Sequence, residues 1–366
     1  MTKAAELAKM GEVLSNSQIG RKNIIINGGM QIAQRATSET GLGASSKYST
    51  LDRYAVTVGN TDGRFTMSQS TVTDLEGFST ALKIDCTTAD TSVATNEFLI
   101  IQQYVEGFNL QQLKATSTTT RAFTLSFYAK SNASRAIATE INFSNGTNKN
   151  ASKLHTIGTS WARYTFTIPA ASSTQIDNDN SLECSVNFWL HAGATYSSGT
   201  MSATLGAITN ANRAVGIGSI FASTDNEIEI TGIQLEVGSQ ATPFEHRSFG
   251  EELALCQRYY FQVNGIGSEY ATMGAGQMYQ TTTFLGHFQT PVPMRTRPSF
   301  SLSDSFSNSN FSVVTGGHVR AISSLTPTGD NQHLRINAVT TSSGTQGHGG
   351  YIQIQSGYIG LWDAEL

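Results

Sequence analysis

Short runs in which every second residue is apolar dominate this chain, and they decide its fold class before any other feature. Side chains on a strand point to alternate faces, so a period of two marks a strand buried on one side. Arg53 to Thr57, Arg64 to Gln69, Ala81 to Cys86, Phe98 to Val105, Phe123 to Lys130, Ala136 to Phe143, Tyr164 to Ile168, Leu182 to His191, Ala214 to Ile220 and Glu227 to Val237 all fit. About ten strands with no long helical pattern between them imply antiparallel neighbours rather than βαβ units. The expected class is all-β: an antiparallel β-sandwich, then a second C-terminal β-sandwich domain, with a short N-terminal helix.

The last of these runs slips phase. Ile228 and Ile230 share one parity, whereas Ile233, Leu235 and Val237 share the other, with Thr231-Gly232 between them. A one-residue slip turns the apolar set to the wrong face unless an extra residue is absorbed, so a β-bulge is expected at Thr231-Gly232. Pro243 and the segment around Ser248 end this domain. Ser248-Phe249-Gly250-Glu251 has capping-box spacing before Leu253, Cys256 and Tyr260, which predicts a short linking helix. Beyond it, Arg258 to Asn264, Met278 to Gln289, Ser299 to Leu302, His318 to Ile322, His333 to Ala338 and Tyr351 to Gln355 read as a second strand set. Turn-forming clusters such as Thr341 to Gly350 connect them.

At the N-terminus, Thr2 can cap a helix whose Leu7, Met10 and Leu14 fall at a, d, a spacing. An isolated helix of about 14 residues is marginal in water. It is therefore expected to pack, either on sister subunits around a threefold axis, on a larger assembly, or back on its own domain. The expected divisions are residues 1–22 as a helical anchor, 23–247 as the first β-domain, and 248–366 as linker helix and C-terminal β-domain.

Charged residues are only 14% of the chain, against roughly 25% in ordinary domains, while Gly, Ser, Thr and Asn are over-used. Such a balance suits an extracellular or virion β-protein with many turns and polar sheet faces. The net charge of -4 with scattered basic residues gives no footprint for nucleic acid or anionic membrane. No run approaches a spanning length, and Lys3, Glu6, Lys9 and Glu12 interrupt the N-terminal apolar positions, so neither membrane insertion nor a secretory leader is expected. Cys86 shares strand phase with Leu82 and Ile84, and Cys184 with Val186 and Phe188, so buried thiols are expected rather than a disulfide.

Signatures of catalysis and cofactor binding are missing. There is no His-Glu-x-x-His, Cys-x-x-Cys, phosphate-binding Gly-Lys-Ser/Thr loop or Gly-x-Ser-x-Gly elbow, and the paired glycines lack the third glycine of a dinucleotide fingerprint. No catalytic residue, cofactor or metal ligand is assigned. Asp177-Asn178-Asp179-Asn180 could offer oxygens to calcium but lacks the Gly and closing Glu of a helix-loop-helix site, so a solvated loop is expected. A pair of carboxylates able to cleave glycosidic bonds is recognised by spatial separation, which spacing along the chain does not reveal.

One strand face carries a sharper expectation. With Cys184, Val186 and Phe188 pointing inward, Glu183, Ser185, Asn187, Trp189 and His191 share the opposite face. A large aromatic among hydrogen-bonding side chains is the composition of a sugar platform, with Trp189 stacking and Asn187 and Ser185 binding hydroxyls. Tyr128, outward with Ser126 and Lys130, could join it. The alternative for Trp189 is cover by a loop or a neighbouring subunit, the usual fate of a large aromatic.

Several segments carry a family resemblance. They are Asn23 to Arg35, Tyr48 to Tyr54, Phe123 to Lys130, Trp161 to Tyr164, Ile230 to Glu245, Glu252 to Tyr260, and Pro291 to Pro298. In this order the chain resembles bacteriophage tail fibres and tail appendages that contain a carbohydrate-binding-like jelly roll. The resemblance implies a virion protein, attached to other tail proteins by Leu7, Met10 and Leu14, homotrimeric, and binding host-surface polysaccharide without cleaving it. A purely structural connector and a glycan depolymerase are the two other functions compatible with these residues.

Overall fold

The computed structural model describes residues 3, 21–146, 148–172, 174–264, 270–302, 310–356 and 359–366. The proposed anchor residues Leu7, Met10 and Leu14 lie outside the described residues. The chain divides between Glu252 and Leu253 into two compact units, Leu366 counting with the first.

In the first unit the strands are β1 (Ser38–Leu42), β2 (Lys47–Tyr48), β3 (Ala55–Gly59), β4 (Arg64–Thr71), β5 (Thr80–Thr88) and β6 (Phe98–Glu106). Then come β7 (Lys114–Thr116), β8 (Thr119–Thr120), β9 (Phe123–Ser131), β10 (Arg135–Phe143) and β11 (Lys149–Ile157). The set ends with β12 (Ala162–Ile168), β13 (Leu182–Ala192), β14 (Gly206–Ala207) and β15 (Glu227–Val237). One sheet has the order β1-β4-β5-β15-β9-β12 and the other β14-β11-β10-β13-β6-β3-β2, with antiparallel pairing throughout. Their inner faces share one apolar core, in which Phe127 of β9 meets Phe188 of β13 edge-to-face at 5.1 Å. Cys86 and Cys184 belong to that core as buried thiols.

The sequence slip in β15 has a physical cause. Pairing with β9 shifts register between Thr231 and Gln234, and Gly232 takes φ +60, a region that favours glycine. The bulge frees the strand to pair with the N-terminal loop: Ile24 N donates to Leu235 O (2.9 Å) and Ile233 N to Gly28 O (3.0 Å). Asn23 fastens the same loop, its Nδ2 donating to Ile233 O and its Oδ1 accepting from Leu235 N. Asn27 does the same further along, bonding Ile32 at both N and O and reaching Asp52 O. The stretches Asn23 to Arg35 and Tyr48 to Tyr54 thus close one end of the sandwich core, where Ile25, Met30, Leu51 and Tyr54 are buried.

The expected strand Ala214 to Ile220 is not one. Gly216 takes φ +81 there, and the segment lies as irregular chain over the sandwich, followed by a 3-10 turn at Ile220–Ala222. A short helix, α1 (Ala194–Ser197), belongs to the same covering stretch.

The linking helix α2 (Phe249–Gln257) begins where the capping residues place it, with Glu251 N donating to Ser248 Oγ at 3.4 Å. The second unit contains β16 (Tyr260–Asn264), β17 (Ala271–Gln280), β18 (Thr283–Gln289), β19 (Ser299–Leu302) and β20 (Phe311–Thr315). It continues with β21 (His318–Gly329), β22 (His333–Thr340), β23 (Gly349–Ile354) and β24 (Ile359–Asp363). One of its sheets closes on itself as a six-stranded barrel, β17-β18-β22-β21-β20-β23, and β16-β24-β19 form the other. The run Met278 to Gln289 is a hairpin rather than one strand, because the chain reverses between Gln280 and Thr283. Met278, Phe284, Val313, Ile336 and Ile352 fill the core, and Trp362 packs between Phe288 (5.5 Å) and Phe300 (4.4 Å).

Candidate functional site

Polar side chains are concentrated on the outer face of the seven-stranded sheet. Antiparallel register sets them in two cross-strand rows. Ser152, Glu140, Asn187 and Gln102 align across β11, β10, β13 and β6, and Asn150, Asn142, Ser185 and Tyr104 align beside them. Residues two apart on a strand share a face, so eight hydrogen-bonding side chains form one continuous lattice.

Glu140 is the hub. It is fully buried, and its Oε1 accepts from Asn150 Nδ2 (2.7 Å) and Arg213 Nε (2.8 Å). Its Oε2 accepts from Asn187 Nδ2, Trp189 Nε1 and an Arg213 terminal nitrogen, each at 2.9 Å. Bidentate pairing with Arg213 offsets the desolvation of the carboxylate. Gln102 ties a second cluster, donating to Thr57 Oγ1 and to the Tyr104 hydroxyl. Among the described residues, the buried Asn142 Oδ1, Asn187 Oδ1 and Ser152 Oγ have no hydrogen-bond partner. Tyr104 and Asn142 are only half-buried.

The four expected glycan-binding residues do not assemble as the strand pattern implies. Trp189 is fully buried, not solvent-facing. Tyr196 of α1 packs on it at 5.4 Å, Phe98 lies at 6.2 Å, the Arg213 guanidinium sits 4.8 Å from its ring centroid, and Ala214, Met201 and Ile217 complete the cover. Burial satisfies a large apolar ring better than exposure does, and the indole N–H finds a carboxylate, so Trp189 is core and not a platform. Asn187 and Ser185 do share the lattice, at 1% and 5% exposure. Tyr128 lies on β9 in the other sheet, so it cannot join them. There it contacts Phe78 at 5.2 Å and lies under Arg163, and Phe78 in turn meets Phe244 and His246. Glu140, Gln102 and Asn142 were missed because an outward charge or amide on a strand reads as a solvated position; Tyr104 was missed with them, because which residues of different strands lie side by side is set by register, which no single strand records.

Asp177 and Asp179 sit in a hydrogen-bonded turn. Asp177 accepts from Asn145 Nδ2 (2.7 Å) and Gln175 Nε2, and these bonds, with Gln175 first, hold its carboxyl below the ordinary range. Asp179 accepts from Ser181 N at 2.9 Å.

No family model matches the chain, and no curated protein matches it in sequence. Among solved structures it is similar to the enzymatically active domain of tailspike protein 4 of bacteriophage CBA120, at 13% identity and TM-score 0.30, over 59% of this chain and 21% of that one. The match thus spans about a fifth of that tailspike domain's chain. It is also similar to a family 30 carbohydrate-binding module, at 12% identity and TM-score 0.31, over 64% of this chain and 96% of that one. A family 11 carbohydrate-binding module from a cellulosomal cellulase of Clostridium thermocellum is similar at 10% identity and TM-score 0.29, over 56% and 98% of the two chains.

Proposed function

We propose that this chain is a non-cleaving polysaccharide-binding appendage of a bacteriophage tail, and that the outer face of the seven-stranded sheet holds the sugar. The observation that carries this reading is the cross-strand lattice of amides and hydroxyls around the half-buried Asn142 and Tyr104. Hexose rings present hydroxyls to amides and apolar C–H faces to aromatic rings, and a rigid lattice binds them at low entropic cost. Glu140 is the carboxylate at the centre of this face, and its oxygens are saturated by Arg213, Asn150, Asn187 and Trp189. That supports binding over glycosidic cleavage, which needs a carboxyl free to move a proton.

The segment order that resembles tail fibres supports the virion assignment, attachment through residues 1–22, and a homotrimer. Identical chains held together make the second and third sugar contacts intramolecular, so weak single sites give firm attachment. The test is a glycan array and affinity electrophoresis of the full chain on bacterial surface polysaccharides. Tyr104→Ala and Asn142→Ala should each weaken retention roughly tenfold while leaving the melting temperature within a few degrees. Unchanged retention in both variants refutes this face as the site, and released oligosaccharide refutes a non-cleaving role.

A further inference from the structure

Away from the lattice, the β5–β6 loop and the end of β13 bring together a buried group of side chains that the proposed binding function does not use. Asp90 lies between β5 and β6, Glu97 just before β6, and His191 near the end of β13; one ligand atom from each falls within 4.8 Å of the others. All three are at least nine-tenths buried, at 6%, 4% and 0% exposure. Among the described residues, neither carboxylate is paired with a Lys or Arg: Glu97 meets His191 Nε2 at 3.1 Å, and Asp90 accepts from the Thr61 hydroxyl, Asp62 N and Ser92 N. Two buried carboxylates facing one imidazole leave negative charge uncompensated, which a buried site tolerates poorly.

We propose that Asp90, Glu97 and His191 form a three-ligand site for a first-row divalent transition ion of the zinc class, with water in the fourth position. A tetrahedral ion holds nitrogen and oxygen ligands at about 2 Å, which spaces them roughly 3.3 Å apart, and the observed separation of Glu97 and His191 already matches. Imidazole with two carboxylates suits zinc, whereas calcium wants six to eight oxygens.

The surroundings of His191 support either protonation pattern. Its Nδ1 lies 2.7 Å from Ser219 Oγ, which also accepts from Phe221 N at 3.0 Å. Without metal, Nε2–H donates to Glu97 and the Ser219 hydroxyl donates to Nδ1. With metal on Nε2, the ring proton sits on Nδ1 and donates to Ser219 Oγ, whose second lone pair still serves Phe221. A hydrogen bond at the far ring nitrogen is the usual support of a metal-bound histidine. The ring itself is wedged against Phe221 at 5.2 Å, so it is oriented before any ion arrives. Bound metal would tie the β3–β4 turn, through Thr61 and Asp90, to β6 and β13 at one end of the sandwich.

The test uses the untagged full chain after chelator treatment and gel filtration. Zinc chloride titrated by calorimetry should bind one ion per chain and raise the melting temperature, and cobalt(II) should give the visible absorption of a four-coordinate site that zinc abolishes. Glu97→Gln should lower zinc affinity by roughly tenfold or more, and Ser219→Ala, acting through His191, by about tenfold. Asp90→Asn serves as the second ligand variant if Glu97→Gln does not fold. The proposal is overturned if the folded wild-type chain takes up neither zinc nor cobalt, if calcium raises the melting temperature equally, or if zinc affinity is unchanged in the ligand variants.

Discussion

Glu140→Gln isolates the energetic centre of the sheet face, because it keeps the shape of the side chain while removing its charge and one acceptor. One of two oxygens becomes an NH2 group. If Oε2 is replaced, that group faces Asn187 Nδ2, Trp189 Nε1 and an Arg213 nitrogen, three donors at 2.9 Å. If Oε1 is replaced, it faces Asn150 Nδ2 at 2.7 Å and Arg213 Nε at 2.8 Å. In either orientation buried donors lose their acceptor, and the Arg213 side chain, 17% exposed, loses its counter-charge. Breaking a buried pair from one side costs about 3–5 kcal/mol. At about 2–4 °C per kcal/mol for a domain of this size, the midpoint should fall by roughly 10 °C. Differential scanning calorimetry and urea unfolding of the full chain measure it. Pairing Glu140→Met with Arg213→Leu should recover part of the loss, since an apolar pair removes the orphaned guanidinium but still leaves the Asn and Trp donors unmet. A Glu140→Gln midpoint within about 1 °C of the parent refutes the reasoning, because it would mean that water satisfies this carboxylate.

Gly28→Ala should destabilise the sandwich by more than about 2 kcal/mol, since the added methyl would sit 2.2 Å from Ile233 O and break the loop pairing at the bulge; urea unfolding checks it. Burial, reinforced by Lys153, holds His155 down from 6.5 to about 4 in the folded state, so the unfolded chain binds the extra proton first as pH falls. Stability should therefore be full above about pH 6.5 and decline toward pH 4 by on the order of 3 kcal/mol, and His155→Gln should flatten that slope; a parent profile flat over this range refutes the assignment. Burial also pushes the Cys184 thiol well above its ordinary range, so a thiol reagent should leave it unmodified in the folded chain and label it in denaturant.

The strands that announced themselves in the sequence are those with one apolar and one polar face, such as Phe123–Ser131 and Leu182–Ala192. Lys149–Ile157 did not, because its inward side chains include Ala151 and His155, too small or too polar to register as apolar alternation. Ala214 to Ile220 misled in the opposite sense: Ala214 and Ile217 pack against Trp189 as irregular chain, not as a ladder. The bulge at Thr231-Gly232 was legible because a phase slip is a property of a single strand. Why it exists was not, since the reason is a loop some two hundred residues earlier in the chain.

The sequence alone determined that this chain is all-β, where its main strands and linking helix run, and which parity of Leu182–Ala192 faces the core. Those properties follow from periods of two and local capping, which neighbouring residues set among themselves. Only the tertiary structure decided what became of the other parity. It placed Arg213, α1 and Ala214 over Trp189, set Glu140 beneath them, and left Asn142 and Tyr104 half-buried beside them. Cover and exposure depend on which distant segment crosses a face, and no local pattern of side chains records that.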